Sequence, residues 1–115
     1  MKVIGRRIIL FTDKVENLAN FYSTNLGFKI KEISQDKKWI DISTGGFFIG
    51  IHFKKISNAS KRQTKLVFYC ADVNGAREEL LKKGVKMGKL HISKEIVFSD
   101  GLDLAGNSFQ ISNRM

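Results

Sequence analysis

The stretch Gly46-Phe-Phe-Ile-Gly-Ile-His52 has a counterpart near the end of the chain in Gly106-Asn-Ser-Phe-Gln-Ile-Ser112. Both segments begin with glycine and carry apolar residues at matching alternate positions, which is the spacing of a strand with one buried face. Each is preceded by a further apolar run that leads into a helical pattern, Arg7-Ile-Ile-Leu-Phe-Thr12 in one case and Lys65-Leu-Val-Phe-Tyr-Cys70 in the other. The sequence therefore predicts two copies of one structural unit.

The apolar periodicity gives each copy the element order β-α-β-β-β. In the first copy we expect a strand over 3–12, a helix from Val15 to Gly27, and strands near 28–34, 38–43 and 47–54. In the second copy we expect a strand over 64–70, a helix from Val73 to Gly84, and strands near 85–91, 94–98 and 107–112. Asp13 and Glu16 have the spacing of a capping box at the start of the first helix.

The predicted fold class is therefore α+β, with two tandem βαβββ units. We expect one domain over 1–115, made of units 1–56 and 64–115 that are joined by a linker at 57–63. A length of 115 residues with 43% hydrophobic content suits a single compact core.

Composition also limits the location and the redox chemistry of the protein. No run approaches the roughly 20 apolar residues of a membrane span, and Arg6 and Arg7 interrupt the first apolar run too early for a secretory signal. We therefore expect a cytoplasmic protein that has no membrane partner. Cys70 is the single cysteine, which excludes an internal disulfide and a cysteine cage for zinc, so it is interpreted as a buried structural thiol.

The net charge of +9 would attract phosphates, nucleic acid or acidic membrane surfaces. The lysines, however, fall mostly singly or in pairs such as Lys37-Lys38 and Lys54-Lys55, and they do not form one long tract with interleaved aromatics. We interpret them as a solvated surface and do not expect a nucleic-acid partner. Nucleic-acid binding would weaken steeply as salt is added.

Two further motifs accompany the paired units. Phe21-Tyr22 lies four residues before Leu26-Gly27, and the chain closes with Asp100-Gly-Leu-Asp-Leu-Ala-Gly-Asn-Ser-Phe-Gln-Ile-Ser112. Together these features resemble the vicinal oxygen chelate superfamily, which includes glyoxalase I, ring-cleaving dioxygenases and antibiotic-resistance proteins. The resemblance covers nearly the whole chain, although Leu104 stands where the closing turn of the family commonly has proline.

The resemblance implies a glyoxalase-like open sheet or barrel, and it implies a homodimer in which strands of two chains complete each cavity. It does not fix a reaction, because one fold supports many chemistries. Metal-using members supply His, Glu or Gln side chains from four strand positions, which correspond here to Arg7, Gly50, Lys65 and Gln110. Only Gln110 has an oxygen that could coordinate a metal, so we expect neither a metal nor another cofactor.

Alternation along the strands separates two faces of the sheet. The side expected to lie under the helices carries Ile8, Leu10, Ile49, Ile51, Leu66, Phe68, Phe109 and Ile111. The opposite side is the predicted ligand pocket and carries Arg7, Ile9, Phe11, Phe48, Gly50, His52, Lys65, Val67, Tyr69 and Gln110, with Ser108 and Ser112 beside them. An apolar and aromatic surface with a few polar donors suits a small organic molecule.

Two features of this pocket leave alternatives open. Arg7 and Lys65 occupy equivalent positions, and they would favour an anionic ligand if both point inward, whereas their charged ends could equally reach water. His52 could act as a general base or as a displaced metal ligand, and its other interpretation is a structural histidine. His91 is expected on the surface at a strand end or turn.

The remaining candidates have structural interpretations. Trp39 is interpreted as a core aromatic, and Asp100 and Asp103 are placed in a turn around Gly101, where their side chains would cap backbone amides. Two function classes remain. One is a metal-free protein that binds a small molecule, and the other is a lyase, isomerase or dioxygenase with atypical ligands or with His52 as base. Resistance to bleomycin-like drugs is not expected, because those drugs are cationic and this surface is basic.

Overall fold

The computed structural model describes residues 1–2, 4–55 and 64–115. The chain divides into two compact units, Met1–Ala59 and Ser60–Met115, called unit 1 and unit 2 below. The predicted linker at 57–63 lies outside the described residues, as does Val3 in the predicted first strand.

Unit 1 is a four-stranded sheet with one helix. Its elements are β1 (Arg7–Thr12), α1 (Val15–Leu26), β2 (Lys29–Ile33), β3 (Trp39–Ser43) and β4 (Phe48–Phe53). The strand order is β1-β4-β3-β2, with β1 and β4 parallel and the other neighbours antiparallel. The apolar side of α1 packs against the sheet, and Leu18 and Tyr22 are completely or almost completely buried there.

Unit 2 repeats this arrangement with one additional strand. Its elements are β5 (Lys65–Tyr69), α2 (Val73–Lys82), β6 (Lys86–Met87), β7 (His91–Ser93), β8 (Ile96–Leu102) and β9 (Ser108–Ser112). The strand order is β5-β9-β8-β6, β7 also pairs with β8, and β5 and β9 are parallel. The α+β class and the paired units are therefore confirmed. Neither helix in the described ranges is long and apolar enough to cross a membrane.

The first strand is shorter than predicted. Residues 4–6 precede β1, which begins at Arg7, where the parallel pairing with Phe48 of β4 also begins. An apolar run forms a ladder only as far as its partner strand extends.

The predicted capping box on α1 is wrong. Lys14 occupies the N-cap position, and no side chain donates or accepts a capping hydrogen bond there. The Lys14 backbone N–H instead donates to Oγ1 of Thr12 at 3.0 Å. On α2, by contrast, the Asp72 carboxylate accepts from the Gly75 backbone N–H at 3.0 Å. The predicted end of α1 at Gly27 is confirmed, and this glycine has the left-handed φ of 73° that it tolerates best.

The predicted strands at 85–91 and 94–98 are replaced by the three strands β6, β7 and β8. A two-residue turn at Lys94-Glu95 joins β7 to β8, and Lys94 has a φ of 57°. Such turns usually contain glycine, asparagine or aspartate. Lys94-Glu95 has none of these residues, so the turn could not be predicted from the sequence. Asp100, predicted in a turn, lies within β8 opposite Gln110. Asp103 does cap its turn, accepting from the Asn107 backbone N–H at 2.8 Å.

Candidate ligand-binding faces

The side of each sheet that was predicted to lie under the helices is buried, with two exceptions. Ile49, Ile51 and Phe109 are completely buried, and Leu10, Leu66 and Ile111 are nearly so. Ile8 is 36% exposed, because it lies on β1 at the edge of the unit 1 sheet. Phe68 is half-buried.

The opposite side of each sheet is called its open face. On the open face of unit 1, Ile9 is 45% and Phe11 is 40% exposed, and on that of unit 2, Val67 is 50% and Tyr69 is 53% exposed. Apolar side chains on a sheet normally face a core or a partner. The open faces are therefore the surfaces on which the predicted pocket residues lie.

Three aromatic rings cross the open face of unit 1 in a line. His52 on β4 pairs in register with Phe11 on β1 and with Trp39 on β3. The ring centroids of Phe11 and His52 are 5.6 Å apart, those of Trp39 and His52 are 5.9 Å apart, and both contacts are edge-to-face. We call Phe11, His52 and Trp39 the aromatic row.

Gly50 makes room for the largest member of this row. A Cβ atom built on Gly50 would overlap the six-membered ring of Trp39, so the indole lies directly on the glycine backbone. The interpretation of Trp39 as a simple core residue is therefore corrected, because Trp39 lies on the open face and is only half-buried. The signal in the sequence was the glycine in the middle of an otherwise apolar strand, which often marks a close approach.

Arg7 is bound to a carboxylate on the same face. Its Nε and Nη2 donate to the two Asp41 oxygens at 2.8 and 2.9 Å, and the guanidinium also lies 5.2 Å from the centroid of the Phe48 ring. The hydrogen bond to Asp41 raises the pKa of Arg7; burial opposes this shift, and the charges of Asp41 and Glu32 add to it. The charge of Arg7 is thus already matched within unit 1.

Lys65 has the corresponding arrangement on the open face of unit 2. Its Nζ lies 3.1 Å from Oδ1 of Asp100, and Nε2 of Gln110 donates to the same oxygen at 2.9 Å. Burial alone would raise the pKa of Asp100, but the hydrogen bonds from Gln110 and Lys65, followed by the charges of Lys65 and His91, outweigh it and lower this pKa. Asp100 is a site residue that the sequence reasoning placed in a turn.

The donor set at the four positions carried over from metal-using proteins does not fit a divalent ion. Arg7 and Lys65 present cations, Gly50 has no ligand atom, and Gln110 already donates to Asp100. Hard and borderline metals need several oxygen or nitrogen donors. Within the described ranges, no three residues among His, Cys, Asp and Glu are grouped as a metal site.

The other titratable candidates lie in separate places. The His52 side chain is exposed on the aromatic row, and in the described part of the chain no carboxylate forms an ion pair with it. His91, expected on the surface at a strand end or turn, is the first residue of β7, and its half-buried ring stacks on Phe98 with centroids 4.8 Å apart. Cys70 is half-buried rather than fully buried; burial raises the pKa of its thiol, and the charge of Asp72 adds to this.

An open depression of about 510 Å³ lies beside the start of α1, away from the predicted pocket residues. Its charged lining is balanced between three carboxylates and three lysines, namely Asp13, Glu16, Asp36, Lys14, Lys37 and Lys38. Lys37 and Glu16 pair at 3.8 Å, and Lys38 lies over the Phe53 ring. This depression therefore does not select for ligand charge.

The architecture matches solved structures over almost its whole length. A glyoxalase/bleomycin resistance protein/dioxygenase family enzyme from Burkholderia phytofirmans has a TM-score of 0.80 at 20% identity, with 95% of this chain and 97% of that chain covered. A lactoylglutathione lyase from Agrobacterium tumefaciens has a TM-score of 0.78 at 14% identity, with 96% and 93% covered. TioX from a Micromonospora species has a TM-score of 0.82 at 13% identity, with 98% and 100% covered.

At the level of sequence, no protein-family model and no curated protein matches this chain. TM-scores of 0.80 and 0.82 show a common architecture, whereas identities of 20% and 13% carry no information on the reaction, because one architecture supports many chemistries. The chain therefore has a glyoxalase-like α+β fold, as the resemblance of its sequence implies.

Proposed function

We propose that the protein binds a small organic molecule on the open faces of its sheets and that it does so without a metal. The aromatic row is the observation that carries this proposal. Phe11, His52 and Trp39 place three rings edge-to-face on one exposed surface, where a planar or apolar ligand would bury part of each ring.

The ion pairs define which ligands suit the open face of unit 1. The guanidinium of Arg7 already donates two short hydrogen bonds to Asp41, so its charge is matched before a ligand carboxylate arrives. Bidentate pairs of this kind are among the strongest polar contacts in proteins. The proposed ligand of unit 1 therefore has an uncharged apolar or aromatic body, and an anionic group adds little affinity there.

A metal-free isomerase or lyase is the second candidate function. The imidazole of His52 is exposed on the aromatic row and could accept a proton from a bound substrate. His52→Ala would abolish such turnover, and because His52 is the middle ring of the aromatic row it would also weaken ligand binding by about fivefold or more. If the variant kept both its activity and its ligand binding, His52 would not be part of the site.

The proposal also includes the homodimer that the resemblance implies. It is supported by the exposed apolar side chains of the open faces, such as Ile9 and Val67, because strands of a second chain would complete the cavity around the ligand and bury part of this apolar surface. Sedimentation velocity over a range of protein concentrations would give the mass of the particle. A particle that stays monomeric at every concentration would contradict this part of the proposal.

Two matched probes test ligand binding. N-phenyl-1-naphthylamine is neutral, and 8-anilino-1-naphthalenesulfonate has the same aromatic body with one sulfonate, so titration calorimetry with both separates apolar from anionic recognition. We expect the neutral probe to bind with one saturable isotherm. Any higher affinity of the sulfonate probe should come from surface charge interactions, and it should therefore disappear when salt is added. No saturable binding of the neutral probe would contradict the proposed function.

Phe11 and Phe53 offer a matched pair of variants for the same titration. Both rings are exposed to a similar extent, 40% and 38%, but alternation places Phe11 on the open face and Phe53 on the opposite side of the sheet. Phe11→Ala should weaken binding of the neutral probe by about fivefold or more, and Phe53→Ala should leave it unchanged. Equal effects of the two variants would move the site away from the aromatic row.

A further inference from the structure

The two ion pairs occupy equivalent positions but differ in accessibility. In each unit a cation at the start of the first strand reaches diagonally across the central strand to an aspartate, giving Arg7 with Asp41 in unit 1 and Lys65 with Asp100 in unit 2. The Asp41 side chain is 10% exposed, whereas the Asp100 side chain is 41% exposed and that of Lys65 is 42% exposed.

The pair in unit 1 is closed. Both oxygens of Asp41 accept from Arg7, and the indole of Trp39 lies beside the pair on the backbone of Gly50, which is the residue opposite Asp41. The Asp41 side chain is almost completely buried, so a ligand has little access to the carboxylate. This pair therefore acts as a brace across the sheet.

The pair in unit 2 is open, and one residue explains the difference. Gln110 stands opposite Asp100, where unit 1 has Gly50, and its amide occupies the space beside the pair. Phe98, the counterpart of Trp39, stacks on His91 instead of covering the central strand. The carboxylate and the ammonium consequently stay accessible on the open face.

The Lys65–Asp100 pair also has polar atoms that are not used in hydrogen bonds to the described residues. Lys65 and Gln110 both act on Oδ1 of Asp100, and among the described residues none donates to Oδ2. The ammonium of a lysine has three donors, and Asp100 takes one of them. A free acceptor and a free donor therefore stand next to each other, with Tyr69 and Val67 exposed on the same face.

We propose that Lys65 and Asp100 form a recognition site for a zwitterion, that is, a small molecule with an ammonium and a carboxylate on one carbon, as in an α-amino acid. The ligand ammonium would donate to Oδ2 of Asp100, and the ligand carboxylate would accept from Lys65. A ligand with only one of the two charges can contact only one of the two groups, so it loses one of the two polar contacts. This inference rests on the proposed function and names the chemistry that the open face of unit 2 recognises.

Three small molecules with one phenyl group test this proposal. L-phenylalanine carries both charges, 3-phenylpropanoate lacks the ammonium, and 2-phenylethylammonium lacks the carboxylate. Each would be titrated into the full-length ¹⁵N-labelled protein, with chemical shifts followed at the backbone amides of Lys65, Asp100 and Gln110. We expect saturable shifts there with L-phenylalanine and about fivefold or more weaker binding of each analogue.

Variants assign the two charges separately. Lys65→Met should abolish the advantage of L-phenylalanine over 2-phenylethylammonium, and Asp100→Asn should abolish its advantage over 3-phenylpropanoate. Lys82→Met is the control, because it removes the same charge from α2, which packs on the opposite side of the sheet. It should leave all three affinities unchanged.

Several outcomes would overturn the proposal: no shifts with L-phenylalanine, equal affinity for the three compounds, or equal loss in Lys65→Met and Lys82→Met. The naphthylamine titration reports on the aromatic row of unit 1 and is independent of these shifts. Naphthylamine binding without selective L-phenylalanine binding would refute the zwitterion site alone. The converse result would refute the aromatic ligand site and leave the zwitterion site standing.

Discussion

Gly50 is the residue on which the aromatic row depends. A methyl group at this position would overlap the Trp39 ring, so Gly50→Ala must displace the indole or distort the sheet. We expect a loss of about 1–3 kcal/mol in the free energy of unfolding, the usual cost of overpacking, together with a shifted Trp39 emission spectrum. Urea denaturation followed by circular dichroism measures the first effect, and fluorescence of the folded protein measures the second.

Gly46→Ala is the matched control for this substitution. A Cβ built on Gly46 meets no atom within 4 Å, and Gly46 is not among the glycines with positive φ. We expect its unfolding free energy to stay within about 0.5 kcal/mol of the wild type. If both alanine variants were equally stable, the close approach of Trp39 to Gly50 would be disproved.

Asp100 gives the protein a dependence on acid pH. Burial raises the pKa of Asp100, but Gln110, Lys65 and the charge of His91 together hold this pKa below the ordinary value. The carboxylate therefore stabilises the fold above the unfolded-state pKa of about 3.9, and this contribution disappears as the pH falls through the lower folded-state pKa. In Asp100→Asn, stability should decline less steeply than in the wild type below about pH 4. The free energy of unfolding of both proteins would be measured by urea titration at several values between neutral and acid pH. An equally steep decline of this free energy in the two proteins would contradict the prediction.

At the scale of elements, the starts of the two helices differ in a way that can be measured. The Asp72 carboxylate caps α2, whereas α1 begins without a side-chain cap although Asp13 stands just before it. Asp72→Ala should therefore cost about 1 kcal/mol of unfolding free energy, and Asp13→Ala should cost little. Equal losses in the two variants, measured by chemical denaturation, would restore the capping box that the sequence suggests.

The elements also show which parts of the fold can be predicted from local sequence patterns. The helix end at Gly27 and the strand repeat between 46–52 and 106–112 follow from local rules, namely the left-handed glycine and the alternation of apolar residues. The hairpin at Lys94-Glu95 does not, because a lysine adopts the positive φ there without the usual turn residues. Asp100 was misplaced for the converse reason, since Gly101 after it suggested a turn but is part of a strand.

In the candidate site, too, the sequence predicts the face on which a residue lies but not the partners of that residue. Alternation assigned Arg7, Phe11 and His52 to one side of the unit 1 strands and Lys65 to the corresponding side of the unit 2 strands, because strand geometry alone decides which face of its own sheet a residue occupies. The partners on that face depend on strand register, which brings Asp41 to Arg7 across 34 positions of sequence. Pairings between distant strands leave no local signal, so the sequence suggested two free cations where the structure has two ion pairs.

At the scale of the whole molecule, we predict that divalent metals do not stabilise the protein. The reason is that the four positions that hold the metal in metal-using members of the superfamily that this sequence resembles carry an unsuitable set of residues here. A ligand that binds only the folded state must raise the melting temperature, so chelator-treated protein would be heated with manganese, iron, cobalt, nickel or zinc in turn. We expect no saturable rise with any of them, because Arg7 and Lys65 stand where ligands would be needed. A specific saturable rise would require a metal site of different composition.

The central claim, that a small aromatic molecule binds at the aromatic row, can be tested through the only tryptophan of the chain. Trp39 is a member of that row, so its emission would be transferred to N-phenyl-1-naphthylamine bound beside it. We predict that naphthylamine fluorescence excited through Trp39 rises and saturates with the same midpoint as the calorimetric isotherm. Saturable binding by calorimetry without quenching of Trp39 would place the ligand elsewhere and would contradict the claim.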